Sequence, residues 1–179
     1  MINSYIALDL ETTGLNPKQD KIIEIGAVRV ENGQETGRFH TMLNPHRELE
    51  ERITELTGIA WDMLKDAPDI VDILEEFLAF CGELPLLGHR IIFDYSFVKR
   101  AAVNQGLSFE KNGIDTLTIC RRFMPAEESK RLGAACAFYG LTQESAHRAL
   151  GDALDPIGFI RNCWKSTEQR LRKSLPQSR

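Results

Sequence analysis

Ile6-Ala7-Leu8-Asp9-Leu10-Glu11-Thr12-Thr13-Gly14 begins as an apolar run and ends in two carboxylates before a glycine. The apolar part reads as a buried strand. Side chains alternate faces along a strand, so Asp9 and Glu11, at i and i+2, point to the same side. Two like charges held together repel, and each raises the other's pKa unless a cation lies between them. The pair therefore suggests a metal site. The bland alternative is an exposed strand end with two solvated acids, and the pair alone does not choose between them.

The 179 residues suit one domain, able to bury a sizeable core without a disulfide or metal staple. The first strand starts within a few residues of the N-terminus, so no signal peptide is expected. No apolar run approaches a membrane span. Cys81, Cys120, Cys136 and Cys163 are far apart and form no C-x-x-C pair; buried free thiols in a reducing cytoplasm are the expectation. The net charge of −4 argues against tight binding over a long nucleic-acid footprint. It leaves room for a protein that grips one strand end through divalent cations.

Further along, the pattern predicts strands over 4–8, 21–30 and 35–43, the last two joined by a hairpin turn at Glu31-Asn32-Gly33-Gln34. Glu24 interrupts the second strand, as a solvent-facing acid or as a further carboxylate near the site. A short acidic helix over 48–57 closes at Gly58, and Trp61 follows as an anchor for the core. Ile70, Leu74, Phe77, Leu78 and Cys81 recur at helical spacing before Gly82. A strand over 84–88, a helix from Asp94 to Gly106, a strand over 114–116, helices over 117–124 and 131–139, and a last long helix after His147 complete the pattern. A three-strand meander followed by alternating helices and strands implies an α/β fold, a mixed sheet flanked by helices.

Asp94 and Asp152 add acids where elements begin. Each has a plainer reading: Asp94 as the N-cap of its helix, Asp152 as a surface acid off an apolar stripe, and His147 as a loop histidine.

Asp9-x-Glu11-Thr12-Thr13-Gly14, Gly88-His89-x-x-x-Phe93-Asp94-x-x-Phe97 and His147-Arg148-Ala149-Leu150-x-Asp152-Ala153, in this order, resemble the signature of the DEDD superfamily of 3′–5′ exonucleases, histidine subclass. The pattern is similar to that of the proofreading subunits and exonuclease domains of bacterial replicative DNA polymerases. Thr57-Gly58-Ile59 and Asp115-Thr116-Leu117…Arg121-Arg122…Pro125 agree in order and spacing. The resemblance covers about residues 4–164. It implies a ribonuclease H-like fold with a central mixed five-stranded sheet, an exonuclease domain over 1–165 and a basic tail over 166–179.

The resemblance assigns metal-ligand roles to Asp9, Glu11, Asp94 and Asp152 and the general-base role to His147. The chemistry agrees. Two divalent ions about 3.5–4 Å apart can hold the attacking and leaving oxygens of a phosphodiester in line. Carboxylates without thiolates suit Mg²⁺ or Mn²⁺ better than zinc. Imidazole titrates near neutrality, which suits a base. The resemblance further places Thr12, Thr13 and Gly14 at the 3′-terminal nucleotide, Leu15 and Ile59 as wedges against its base, and His89, Arg90 and Phe97 among the substrate contacts. Phe97 reads equally well as core.

Two positions depart from the family pattern. Arg90 stands where Asn is common, as a phosphate contact or as a solvated loop charge. Pro156 cannot donate to the Asp152 carbonyl, so a kink or a helix restart is expected there. The expected activity is two-metal 3′–5′ exonucleolysis of single-stranded or frayed DNA ends, releasing nucleoside 5′-monophosphates, with a DNA polymerase as a candidate partner. Alternatives are an exoribonuclease acting on RNA ends, or a binding or docking module that has lost catalysis. The choice between monomer and homodimer stays open.

Overall fold

The computed structural model describes residues 3–141, 148–158 and 160. His147, Cys163 and the basic tail over 166–179 lie outside the described residues.

β1 (Tyr5–Thr12) lies at the centre of a five-stranded sheet ordered β3-β2-β1-β4-β5. It pairs antiparallel with β2 (Ile22–Glu31) and parallel with β4 (Leu86–Gly88). β3 (Gln34–Met42) extends the antiparallel side, and β5 (Gly113–Asp115) the parallel side. The mixed five-stranded sheet matches the expected architecture. A central strand covered on both faces must be apolar on both, hence the unbroken run Tyr5-Ile6-Ala7-Leu8, all buried. Asn32 and Gly33 have φ of 52° and 79°, the pair of positive values that lets a two-residue turn follow the twist of β2 and β3.

Among the described residues, six helices and turns of helix, besides the helical residues 149–158, are set around the sheet. They are α1 (Glu51–Thr57), α2 (Trp61–Leu64), α3 (Ile70–Cys81), α4 (Ile92–Asn104), α5 (Thr116–Phe123) and α6 (Leu132–Phe138). α3 spans the length its apolar spacing predicts. Asp69 caps it by accepting from the Val71 N–H, and Leu74, Phe77 and Cys81 form its buried stripe. With α4 it covers one face of the sheet, against Ile6, Leu8, Leu10, Ile25 and Ala27. The other face carries Tyr5, Ala7, Val28 and Val30 under Cys120, Ala135, Ile157 and Ile160. The helical residues 149–158 therefore lie on the face toward which Asp9 and Glu11 point.

Three local expectations change. The first strand does not stop at Leu8. Its ladder with β2 continues to Thr12, so both acids stand inside a hydrogen-bonded strand, with an irregularity only between Glu11 and Thr12. Asp94 does not cap α4; it lies in the first turn, and its side chain turns to β1. Pro156 does not make the helix restart, because residues 149–158 are helical without a break. One missing backbone donor is tolerated where Ala149, Ala153, Ile157 and Ile160 bury the same helix. Cys81, Cys120 and Cys136 are buried, as expected.

Candidate active site

The face of β1 and β2 under the 149–158 helix is a small grid. Cross-strand partners Glu11 and Glu24 stand side by side, as do Asp9 and Gly26. Asp152, one turn into the helix, comes down on this grid. It is buried, and its N–H closes on the Arg148 carbonyl at 2.9 Å. Asp9, Glu11 and Asp152 each offer an oxygen within 4.8 Å of the others'. Asp94 arrives from the opposite face around the strand end, where its Oδ1 accepts from the Leu10 N–H at 3.0 Å. Its carboxylate is thus tied to the residue between Asp9 and Glu11.

The four acids perturb one another. Lost hydration comes first, and the charges of Asp94, Asp152, Glu11 and Glu24 add to it, pushing Asp9 well above the usual carboxylate range. Glu11 rises from 4.5 to about 7, through burial first and then Asp152 and Glu24, with Arg148 opposing. Asp94 rises from 3.8 to about 8, mainly through burial, although hydrogen bonds to its own and the Leu10 backbone pull it back. A cation among the four would remove the repulsion. The donors are all hard carboxylate oxygens, so the set fits Mg²⁺ or Mn²⁺.

Glu24 is neither solvent-facing nor available as a fifth ligand. It is fully covered, and its oxygens accept from His40 Nε2 at 2.7 Å, an Arg148 guanidinium nitrogen at 3.0 Å and the Ala149 N–H at 3.2 Å. Burial alone would raise its carboxyl, but these hydrogen bonds win and hold it below the usual range. The charge of residue 24 was plain in the sequence; its partner, 124 residues away, was not.

Beside Glu11 an open groove of about 760 Å³ runs over Leu10, Thr12, Gly14, Leu15, Asn16, Asp20, Arg52, Ile53, Leu56 and Phe93. Leu15 is 81% exposed and Leu56 53%, apolar side chains facing solvent at its rim. The Thr12 hydroxyl donates to the Gly14 carbonyl at 2.6 Å. The Asp20 carboxylate folds over Gly14 into the space a Cβ would fill. Thr13 turns away from the groove, and its hydroxyl accepts from Lys21 N–H and from Arg47.

Besides Thr13, three of the expected substrate contacts, Ile59, Phe97 and His89, are turned inward. Ile59 is fully buried with Ile23, Ile53 and Leu64, so it supports the groove from below and presents no wedge. Phe97 is buried in the α3–α4 core. His89 spends both ring nitrogens internally, on Thr116 Oγ1 at 3.0 Å and the Lys130 carbonyl at 2.8 Å. Arg90 is exposed, and its backbone has φ of 70°, a left-handed value that Asn or Gly adopts more readily. The Asp115 carboxylate holds its N–H at 2.7 Å. Arg52, Leu56 and Phe93 line the groove instead. An exposed leucine off the buried stripe of α1 was the available signal for Leu56.

Comparison with known proteins agrees with this architecture. A family model described as an exonuclease, RNase_T, matches residues 6–156. The chain is 40% identical over 152 residues to a PolC-type DNA polymerase III of Halalkalibacterium halodurans, a match covering 84% of this chain and 11% of that protein. To the PolC-type DNA polymerase III of Bacillus subtilis it is 40% identical over 152 residues, covering 83% and 10%. The chain thus spans about a tenth of the length of these relatives. Among solved structures, E. coli exonuclease I in complex with a dT13 oligonucleotide aligns with a TM-score of 0.78 at 17% identity, over 96% of this chain and 43% of that one. Exonuclease X in complex with 5′ overhanging duplex DNA aligns with a TM-score of 0.71 at 22% identity, over 92% of each. These two likenesses are likenesses of fold. Among the described residues no helix is long and apolar enough to cross a membrane.

Proposed function

The chain belongs to the RNase_T exonuclease family, and on that premise we propose that it hydrolyses nucleic acid from the 3′ end, releasing nucleoside 5′-monophosphates from single-stranded or frayed DNA. The observation that carries the proposal is the meeting of Asp9, Glu11 and Asp152 within 4.8 Å, with Asp94 tied to the strand between the first two. Residues 1–165 form the catalytic unit of this reading.

Asp9, Glu11, Asp94 and Asp152 would hold two divalent cations, Mg²⁺ or Mn²⁺. When bound, these would supply the positive charge that a phosphodiester needs as its attacking and leaving oxygens become more negative. The chain's own residues do the rest. β1 fixes Asp9 and Glu11 as neighbours, and the Leu10 N–H aims Asp94. The groove beyond Glu11 takes the terminal nucleotide, with Thr12 and Gly14 at its floor and Leu15 and Leu56 offering apolar surface to a base. Such contacts rely on stacking and shape and accept any base. His147, next in sequence to Arg148, takes the proton of the attacking water. The likeness to polymerase polypeptides favours DNA as substrate and a DNA polymerase as partner.

A 5′-labelled single strand incubated with Mg²⁺ or Mn²⁺ should shorten stepwise, and EDTA should stop the reaction. Asp9→Ala should abolish it, while His147→Ala should slow turnover and leave metal affinity close to wild type. Matched DNA and RNA strands in one assay decide the sugar preference. If wild type and Asp9→Ala bind the strand equally and neither cuts it, the proposal is refuted in favour of a binding module.

A further inference from the structure

Glu24 is an acid at the centre of a proposed metal site that no metal could readily use. Its side chain is 1% exposed, and each of its oxygens already accepts hydrogen bonds. Every donor except His40 belongs to Arg148 or Ala149, the residues that lead into the helix carrying Asp152. Two residues further along β2, on the same face, Gly26 is the second point of contact. A Cβ there would stand 2.1 Å from the Ala149 carbonyl carbon and 2.2 Å from the Leu150 nitrogen. The helix start is therefore seated directly on the strand backbone at Gly26 and clamped beside it by Glu24.

Asp152 is one turn beyond this clamp, through its N–H bond to the Arg148 carbonyl at 2.9 Å. A helical turn is stiff, so a displacement at 148–149 is transmitted to residue 152. Asp9 and Glu11 are held independently, by the β1 ladder, and Asp94 by the Leu10 N–H. Asp152 comes in on the 149–158 helix, whose start must dock on β2.

We propose that Glu24 is a positioning residue for the metal cradle: by holding Arg148 and the Ala149 N–H over the Gly26 seat, it sets where Asp152 stands relative to Asp9 and Glu11. The inference rests on the proposed function, since it concerns the affinity of that cradle for divalent cations. Outer groups that orient ligands commonly carry about 10–100-fold in metal affinity, and Glu24 fits that description.

A charge effect and a positioning effect predict opposite behaviour for Arg148. If Glu24 only adds negative potential, Glu24→Gln weakens cation binding, and Arg148→Gln strengthens it by removing a positive charge near Glu11. If the two form a clamp, each substitution releases the helix start and both weaken binding. Mn²⁺ binding by the full chain, measured by calorimetry and by the electron paramagnetic signal of free Mn²⁺, distinguishes them without any turnover. The expected result is a loss of about 10-fold or more for each variant, with the double variant little worse than either single one. Melting curves confirm that the variants are folded; Arg148 is half-exposed, so Arg148→Gln serves if Glu24→Gln does not fold.

Tighter Mn²⁺ binding by Arg148→Gln overturns the inference, and so does wild-type affinity in folded Glu24→Gln. Wild type that binds no Mn²⁺ overturns the metal reading and this inference together. Wild type that binds Mn²⁺ through Asp9 yet cuts no strand refutes only the nuclease activity, and the binding data still decide the role of Glu24.

Discussion

Removing divalent cations should make this protein less stable as the pH rises, and Glu11 allows the size to be worked out. Its carboxyl stands at about 7 in the folded chain against 4.5 for the free group. Between those values the folded protein holds a proton that the unfolded chain has released. The native state binds more protons, so the free energy of unfolding falls with rising pH across this interval. The stabilisation is complete below about pH 4.5 and gone above about pH 7. At about 1.4 kcal/mol per pH unit the interval is worth at most about 3.5 kcal/mol, and about 3 kcal/mol or less once solvent screening at the exposed edge of the carboxylate is taken off. For a domain of this size that is about 6–12 °C in melting temperature. Asp94, raised to about 8, acts in the same direction. His89 acts in the opposite one, since burial lowers its pKa and its stability term grows as pH rises toward the ordinary histidine value.

Glu11→Gln isolates the part that runs through Glu11: its own titration is removed, and its charge no longer raises Asp9 and Asp94. In EDTA the wild-type melting temperature should fall more steeply than that of Glu11→Gln between about pH 5 and about pH 8. Adding Mn²⁺ at the upper pH should restore the wild type, because a ligand at about 100 times its dissociation constant stabilises by about 2.7 kcal/mol. Parallel melting curves for the two proteins in EDTA would refute the reasoning, since Glu11 would then titrate alike folded and unfolded.

Leu15→Ala and Ile59→Ala should fail in different ways. Leu15 is on the groove rim, so its loss should raise KM for an oligonucleotide and leave the melting temperature unchanged. Ile59 is core, so its truncation should cost about 2–5 kcal/mol in a denaturant titration. Arg90→Gly relieves a left-handed backbone while keeping the N–H bond to Asp115, and should raise stability by about 1 kcal/mol by the same measurement. A large rise in KM for that variant would instead make Arg90 a substrate contact.

The elements were legible in the sequence where local chemistry decides them. The α3 stripe, the Asn32-Gly33 turn and the apolar β1 run each carry their own period or turn signal; the first two form where expected, and β1 forms but runs on to Thr12. Asp9 and Glu11 were legible as a pair because a strand fixes the i, i+2 relation. Their partners were legible only through motif resemblance. No local rule brings Asp94 to the Leu10 N–H, 84 residues away, or Glu24 to Arg148. Ile59 and Phe97 show the same limit from the other side. A motif places a residue near a site, but which way it faces is settled by what covers it, and here both face inward. Asp94 shows how a plausible local role, the helix cap, yields to a tertiary one.

The clamp at Ala149 has a consequence for how the protein comes into being. The contact from the Ala149 N–H to Glu24 spans 125 residues, and the one from the Leu10 N–H to Asp94 spans 84. Contacts of such long range carry a loop-closure cost that local helices and the β1–β2–β3 meander do not, and they slow a fold that depends on them. Until the 149–158 helix settles on Gly26, Asp152 is not beside Asp9 and Glu11 and the cradle is incomplete. On the proposed reading, a chain short of the finished fold lacks the complete cradle, so the contact that seats the helix also completes the site.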